Sequence, residues 1–164
     1  MIVFLKKKHT LQVDDFYFKC SIGKNGISKK KTEGDNRTPE GNFKIEHLYF
    51  RKDRIEQPQT SLKSIEIKKN MGWCDDVSNS KNYNKLININ KNIHHEKLFR
   101  KDHKYDLLIP IKYNFDAVVL GIGSCIFIHL TDKYQPTAGC IGLGKKDFLI
   151  LLKLINKNTR IKIY

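Results

Sequence analysis

The sequence has no long hydrophobic run. No unbroken apolar stretch exceeds five residues, residues 148–152 being one such stretch, whereas a membrane-spanning helix needs about twenty. An integral membrane segment is therefore not expected. Glycine and proline are sparse, at 10 and 4, which excludes collagen-like and low-complexity classes. Arginine is scarce as well: it supplies 5 of the 31 basic residues, although it is the side chain best suited to bidentate phosphate and base recognition. Cysteine appears 4 times, as Cys20, Cys74, Cys125 and Cys140, with no C-x-x-C spacing. That excludes the common zinc-knuckle patterns, and a chain of this size does not need disulfides to fold. The N-terminus, MIVFLKKK, places its positive charges after the apolar residues. This reverses the secretory-leader layout and argues for a cytoplasmic location.

What is present is enough to fold. The 164 residues suit one domain spanning 1–164, and 40% are hydrophobic, including 9 Phe, 7 Tyr and 1 Trp, so a sizeable core can be buried. The net charge is 31 − 17 = +14. Basic residues number 10 in positions 1–50, 11 in 51–100 and 10 in 101–164, so they form no arm or block. With so little arginine, nucleic acid is not expected as a partner. A general attraction to anionic surfaces, cell-wall polymer included, fits the charge better.

Short apolar runs separated by polar turns predict a mainly β, sandwich-like domain with one or two short helices. Residues 2–5, 16–20, 41–45, 49–50, 64–67, 107–111, 117–120, 125–130 and 159–164 read as strands. Residues 113–116 read as a hairpin turn, and residues 72–84 as irregular. Residues 145–155 carry a helical apolar stripe. Residues 90–102 hold a second candidate helix, in which Leu98 and Phe99 are the strong apolar positions.

The chemistry concentrates in residues 128–141. His129 closes a strand, and eleven residues later Cys140 follows Gly139. A thiol attacks a carbonyl as thiolate and needs a nearby base. An imidazole can take that proton and return it to a leaving amine. Gly139 permits close approach and unusual dihedrals, and backbone N–H groups at Gly139 and Cys140 can stabilise an oxyanion. Read without further context, Cys140 is equally a packing residue and His129 a satisfied strand-end histidine.

The run His129…Pro136-Thr137-Ala138-Gly139-Cys140-Ile141 resembles the signature of the L,D-transpeptidase (YkuD-type) catalytic domain. Lys31-Thr-Glu33-Gly34-Asp35-Asn-Arg37-Thr38-Pro39-Glu-Gly41-Asn-Phe43 resembles the family's upstream Thr-Pro-x-Gly-x-Phe segment. Three further blocks are similar to a subgroup of small, stand-alone members: Tyr49-Phe50-Arg51-x-Asp53-Arg54, Gly72-Trp73-Cys74-Asp75-Asp76 with Tyr83-Asn84, and Asp102-His103-x-Tyr105-Asp106. Gly123-Ser124 also fits, and the resemblance covers about residues 18–155. The sequence departs from the wider family at Gly142, where Arg is usual, and at Leu130, where Gly is common. The first departure leaves open how a substrate carboxylate is held, with Arg37, Arg51 and Arg54 as substitutes.

The resemblance implies acyl transfer on peptidoglycan stem peptides, an activity of cell-wall biogenesis and cell shape. Cys140 would form a thioester with release of D-Ala. An amine acceptor would complete a 3→3 cross-link, and water would give L,D-carboxypeptidase activity. His129 would be base and then acid. No metal or organic cofactor is implied. The enzyme is expected as a monomer, and its substrate points to the cell envelope against the reading of the N-terminus. Thr137 lines the site or is a loop hydroxyl. Trp73 stacks on substrate or fills the core. Asp75 and Asp76 bind an ammonium or cap a turn, and His103 with Tyr105 belongs to the site or to the surface. His94 and His95 read as solvated, Cys20 and Cys125 as packing. A zinc site from Cys74, His103, His129 and Cys140 has suitable ligand types but no common spacing. A non-enzymatic basic domain that binds polymer is the remaining alternative.

Overall fold

The structure is a computed structural model that describes residues 1–6 and 9–164. Its strands, in chain order, are β1 (Ile2–Lys6), β2 (Thr10–Val13), β3 (Phe16–Ser21), β4 (Ile27–Ser28), β5 (Thr38–Pro39), β6 (Gly41–Lys44), β7 (Leu48–Phe50) and β8 (Ser64–Glu66). They continue with β9 (Met71–Cys74), β10 (Leu86–Asn88), β11 (His95–Lys97), β12 (Leu107–Pro110), β13 (Phe127–Leu130) and β14 (Ile141–Leu143). Helix α1 (Lys145–Leu154) and β15 (Arg160–Ile163) complete the chain. Ten strands form one sheet in the order β6-β15-β1-β2-β3-β14-β13-β12-β7-β8, and β9 lies between β10 and β11 in a three-stranded sheet. A bridge between Ile45 and Ile111 joins the segments after β6 and after β12, so the large sheet curls on itself.

Period-two alternation decides which face each side chain takes. Val3, Leu5, Leu11, Val13, Phe18, Cys20, Ile109, Ile128, Ile141, Leu143, Ile161 and Ile163 meet in one buried cluster. Helix α1 closes this face. Its Phe148, Leu151 and Leu152 follow the i, i+3, i+4 spacing and are fully buried. Asp147 in its first turn and Lys153 in its last suit the helix dipole. The opposite face is covered over only half its width. There Tyr49, Leu108 and Phe127 pack with Trp73, Ile67, Leu98 and Tyr105 beneath the three-stranded sheet. The central strands β12, β13 and β14 are thus buried on both faces, which explains their unbroken apolar runs.

The mainly β expectation holds, with corrections in detail. Residues 90–102 form no helix; they turn and enter β11, paired to β9. Two apolar residues carry no helical period, and Leu98 instead fills the core beside Trp73. Residues 72–84 are not all irregular, because β9 is the middle strand of the small sheet. Residues 117–120 form no strand, and Val119 and Leu120 are exposed. Asn114, at φ 50°, accepts the Val119 N–H and donates to the carbonyls of Val119 and Gly123, which makes a loop in their place. Strand β13 starts at Phe127 rather than Cys125, whose φ of 54° interrupts the ladder.

Candidate active site

A groove of about 500 Å³ opens at the edge of the covered half-face. One wall is residues 135–138 with Cys140; another is residues 102–105 with Arg100; His129 and Leu130 lie between them. Strand register brings the two central residues together. Strands β13 and β14 are parallel, with Ile128 opposite Ile141 and His129 opposite Gly142. Cys140, one residue before β14, therefore falls beside Phe127, whose N–H donates to the Cys140 sulfur at 3.4 Å. Alternation then points Cys140 and His129 to the same face.

Hydrogen bonds from two threonines, buried at Thr38 and part-buried at Thr137, fix the turn that carries Cys140. Thr38 Oγ1 donates to the Gly139 carbonyl at 2.9 Å and accepts the Gly23 N–H at 2.9 Å. Thr137 Oγ1 donates to the Cys140 carbonyl at 2.6 Å and accepts the Gly139 N–H at 3.1 Å. Gly139 adopts φ 141°, and a Cβ there would lie 2.8 Å from the Arg37 carbonyl oxygen, so only glycine fits. In a trans peptide, C=O and N–H point in opposite directions. By holding the Gly139 carbonyl, Thr38 therefore aims the Cys140 N–H away from itself. Among the described residues no acceptor takes that N–H. The Gly139 N–H, expected as a second oxyanion donor, is instead occupied by Thr137.

Both reactive groups rest neutral. The Cys140 thiol donates to the Cys125 carbonyl at 3.2 Å, and burial pushes its pKa up to about 12. Burial also lowers His129 to about 4. His129 Nδ1 lies 2.8 Å from the Leu130 carbonyl. A carbonyl can only accept, so Nδ1 carries the proton and Nε2 has the free lone pair. Tyr105 packs edge-on to the imidazole, its centroid 5.5 Å away. Lys104, on the groove wall, favours the Cys140 thiolate and opposes an imidazolium at His129.

The wall at residues 100–106 is assembled by charge. His103 Nδ1 meets Asp106 Oδ2 at 2.7 Å, and Arg54 meets Asp106 Oδ1 at 2.9 Å. Arg54 also donates to the carbonyls of Asp102 and Lys101. Arg100 forms a bidentate pair with Asp102 and a further bond to Glu96. Arg51 pairs with Asp53, donates to the Arg100 carbonyl and stacks 3.5 Å over Phe99.

Of the residues singled out from the sequence, Cys140, His129, Thr137, His103 and Tyr105 line the groove, and Gly139 is buried between its lining residues Ala138 and Cys140. Trp73, Asp75 and Arg37 do not. Trp73 is 2% exposed and donates its indole N–H to Asn84. Asp75 pairs with His94 at 2.5 Å, and His94 is largely exposed, as its polar stretch suggests. The Arg37 side chain is exposed and is not part of the groove lining. Arg51 and Arg54 brace the wall and do not face a ligand. Sequence reasoning missed Arg100, Lys104 and Lys133, the cations that do line the groove; nothing in their local pattern distinguishes them. Gly142 has a steric reason, since a Cβ there would lie 2.4 Å from Ser21 Oγ and 3.2 Å from Thr131. Among the described residues no group of three or more His, Cys, Asp or Glu could hold a metal ion. No helix among them is long and apolar enough to cross a membrane.

A family model for the L,D-transpeptidase catalytic domain, YkuD, matches residues 1–163. No curated protein matches the chain. Among solved structures, the helical cell shape determining protein Pgp2 from Campylobacter jejuni is similar in fold, with a TM-score of 0.52 and 16% identity over 99% of this chain and 46% of that one. An L,D-transpeptidase from Mycobacterium smegmatis aligns with a TM-score of 0.43 and 14% identity over 99% of this chain and 58% of that one. The chain thus spans about half the length of these proteins.

Proposed function

The chain belongs to the L,D-transpeptidase (YkuD) catalytic-domain family, and from that premise we propose that it is a cysteine-dependent acyltransferase of peptidoglycan stem peptides. The observation that carries this reading is the pairing in one groove of Cys140, with its own N–H unused, and His129, with its Nδ1 proton fixed on Leu130. Cys140 Sγ attacks the carbonyl between the third stem residue and the terminal D-Ala, and its proton passes to His129 Nε2. The oxyanion forms against the Cys140 N–H. The C–N bond then breaks, His129 returns the proton to the departing D-Ala amine, and a thioester remains. An acceptor amine attacks that thioester and loses its proton to His129. The proton returns to the sulfur as the new amide leaves.

Thiol and imidazole both rest neutral, so the thiol needs His129 to take its proton for the attack. The groove is open to solvent along His103, whose side chain is 71% exposed. That openness supports a second outcome in which water takes the acyl group and the stem peptide is trimmed. The proposed substrate and the family support a location at the cell envelope.

The test is intact-protein mass spectrometry of wild type and Cys140→Ala after mixing with a disaccharide-tetrapeptide. An adduct on wild type alone, with D-Ala released, is expected. The product formed with and without an amine acceptor separates transfer from hydrolysis. Neither adduct nor D-Ala release from folded, reduced wild type would overturn the reading.

A further inference from the structure

The groove sits where the covered half of the sheet face ends; past a first row that is itself buried at Ser21 and Gly142, the other half of that face carries exposed side chains. Its composition follows from the register. His129, Gly142 and Ser21 lie in one row across β13, β14 and β3, so their side chains share a face. Lys19 and Tyr17 are two and four residues from Ser21 on the same strand and take the same face. The next row is Lys19, Thr10 and Lys6. The row beyond is Tyr17, Gln12, Phe4, Lys162 and Asn42. Lys44 and Arg160 continue the face on β6 and β15. From His129 to β6 this spans six strand spacings, roughly 29 Å.

Five cations, Lys6, Lys19, Lys44, Arg160 and Lys162, therefore share one exposed face. The five strands beneath them, β1, β2, β3, β6 and β15, contain no Asp or Glu. No ion pair among the described residues involves any of the five. Asp14 and Asp15 lie past the edge, in the β2–β3 turn. Tyr17, 65% exposed, stands among the cations. At the groove end, Lys19 Nζ lies 4.7 Å from the ring centroid of Tyr134. Tyr134 sits between Lys133 and Gln135, both on the groove wall.

We infer that this face is a platform for polymeric peptidoglycan, holding the strand whose stem peptide enters the groove. The inference rests on the function proposed above and names where the rest of that substrate lies. A peptidoglycan strand offers single, spaced carboxylates on its stems, which suit the point charge of lysine. It also offers sugar rings, whose apolar faces suit an exposed tyrosine. Nucleic acid fits less well: four of the five cations are lysine, and bidentate phosphate recognition favours arginine. Summed over the face, the unneutralised charge raises the local concentration of an anionic chain beside Cys140.

The test uses the full chain carrying Cys140→Ala, so that binding is read without turnover, in co-sedimentation with insoluble peptidoglycan sacculi at low and physiological salt. Against that background, Lys19→Gln/Arg160→Gln/Lys162→Gln should weaken sacculus binding by at least about tenfold and flatten its salt dependence. A matched variant, Lys52→Gln/Lys68→Gln/Lys81→Gln, removes the same charge from exposed lysines elsewhere and should bind as the parent does. Equal losses in both triple variants would reduce the effect to net charge and overturn the platform. So would no loss in the first, at an unchanged melting temperature. Tighter retention on single-stranded DNA than on sacculi, lost in the first variant, would assign the face to nucleic acid and overturn it as well. Thioester formation by wild type with the soluble fragment is measured separately. Its failure refutes the proposed reaction, while the sacculus result judges the platform in either case.

Discussion

The two walls of the groove are built from different forces. The nucleophile wall is held by neutral hydrogen bonds, buried at Thr38 and part-buried at Thr137: Gly23 to Thr38, Thr38 to Gly139, Gly139 to Thr137 and Thr137 to Cys140. The facing wall is held by ion pairs, the partly exposed Arg54 with the buried Asp106, and Arg100 with Asp102 and Glu96 at partly exposed side chains. Buried neutral bonds respond little to salt, and leaving one partner unmade costs about 1–3 kcal/mol. Partly exposed pairs contribute roughly 0–1 kcal/mol each and weaken as salt rises. The nucleophile therefore stands on the wall that yields least, and the substrate meets one that can adjust.

The largest effects should come from the reacting pair. Cys140→Ala should abolish turnover while the chain stays folded, with only the modest fall in melting temperature expected from losing the thiol's bonds to Phe127 and Cys125; residual activity equal to wild type would remove the thiol from the mechanism. His129→Ala should cost about 10²–10⁴ in kcat at neutral pH, the usual contribution of a positioned base. The pH profile adds a check. Burial lowers His129 to about 4, so the acid limb of kcat/KM should fall near pH 4 and not near 6.5. The same depression links to stability. The unfolded chain binds the His129 proton below about pH 6.5 and the folded chain only near 4, so stability present above 6.5 is lost as pH falls toward 4. The loss is on the order of 3 kcal/mol, and His129→Gln should flatten this part of a melting-temperature–pH curve.

The rigid wall is broken at Thr38. Thr38→Val removes the hydroxyl that orients the Gly139–Cys140 peptide and should lower kcat on the order of tenfold to a hundredfold, below the loss of a whole oxyanion donor. Alkylation of Cys140 by iodoacetamide forms no oxyanion, so its rate should hold. Thr38→Ser should restore kcat. Equal losses in acylation and alkylation would mean that the turn has collapsed and that its N–H was never the issue.

The division between the walls also marks what could be read from the sequence. Alternation at Val3 and Leu5, at Ile161 and Ile163, and the stripe Phe148, Leu151, Leu152 are local patterns, and they located their elements. The 128–141 run was legible because His129 and Cys140 flank one loop. Thr38 stands 101 residues from Gly139, and no spacing predicts that contact. Residues 90–102 misled because their polar character matched no period; β11 exists through its pairing to β9. Trp73 and Arg54 carried functional side-chain types yet were absorbed by packing and by loop bracing. A one-dimensional pattern shows which residues can do chemistry, while the tertiary partners decide which are free to do it.

The mildest prediction is the one that tests the yielding wall. Arg54 ties Asp106 to the carbonyls of Lys101 and Asp102, and Asp106 in turn orients His103. Arg54→Ala leaves the Cys140 turn and His129 untouched, so kcat should change little. The guanidinium it removes is partly exposed and the buried Asp106 keeps His103 as a partner, so KM should rise by about fivefold. That rise should shrink with added salt, because salt already weakens the wild-type pair. A kcat loss as large as that of Thr38→Val, insensitive to salt, would show that the two walls are equally rigid. His103 would then be fixed as firmly as the nucleophile, and the difference in their construction would have no consequence for catalysis.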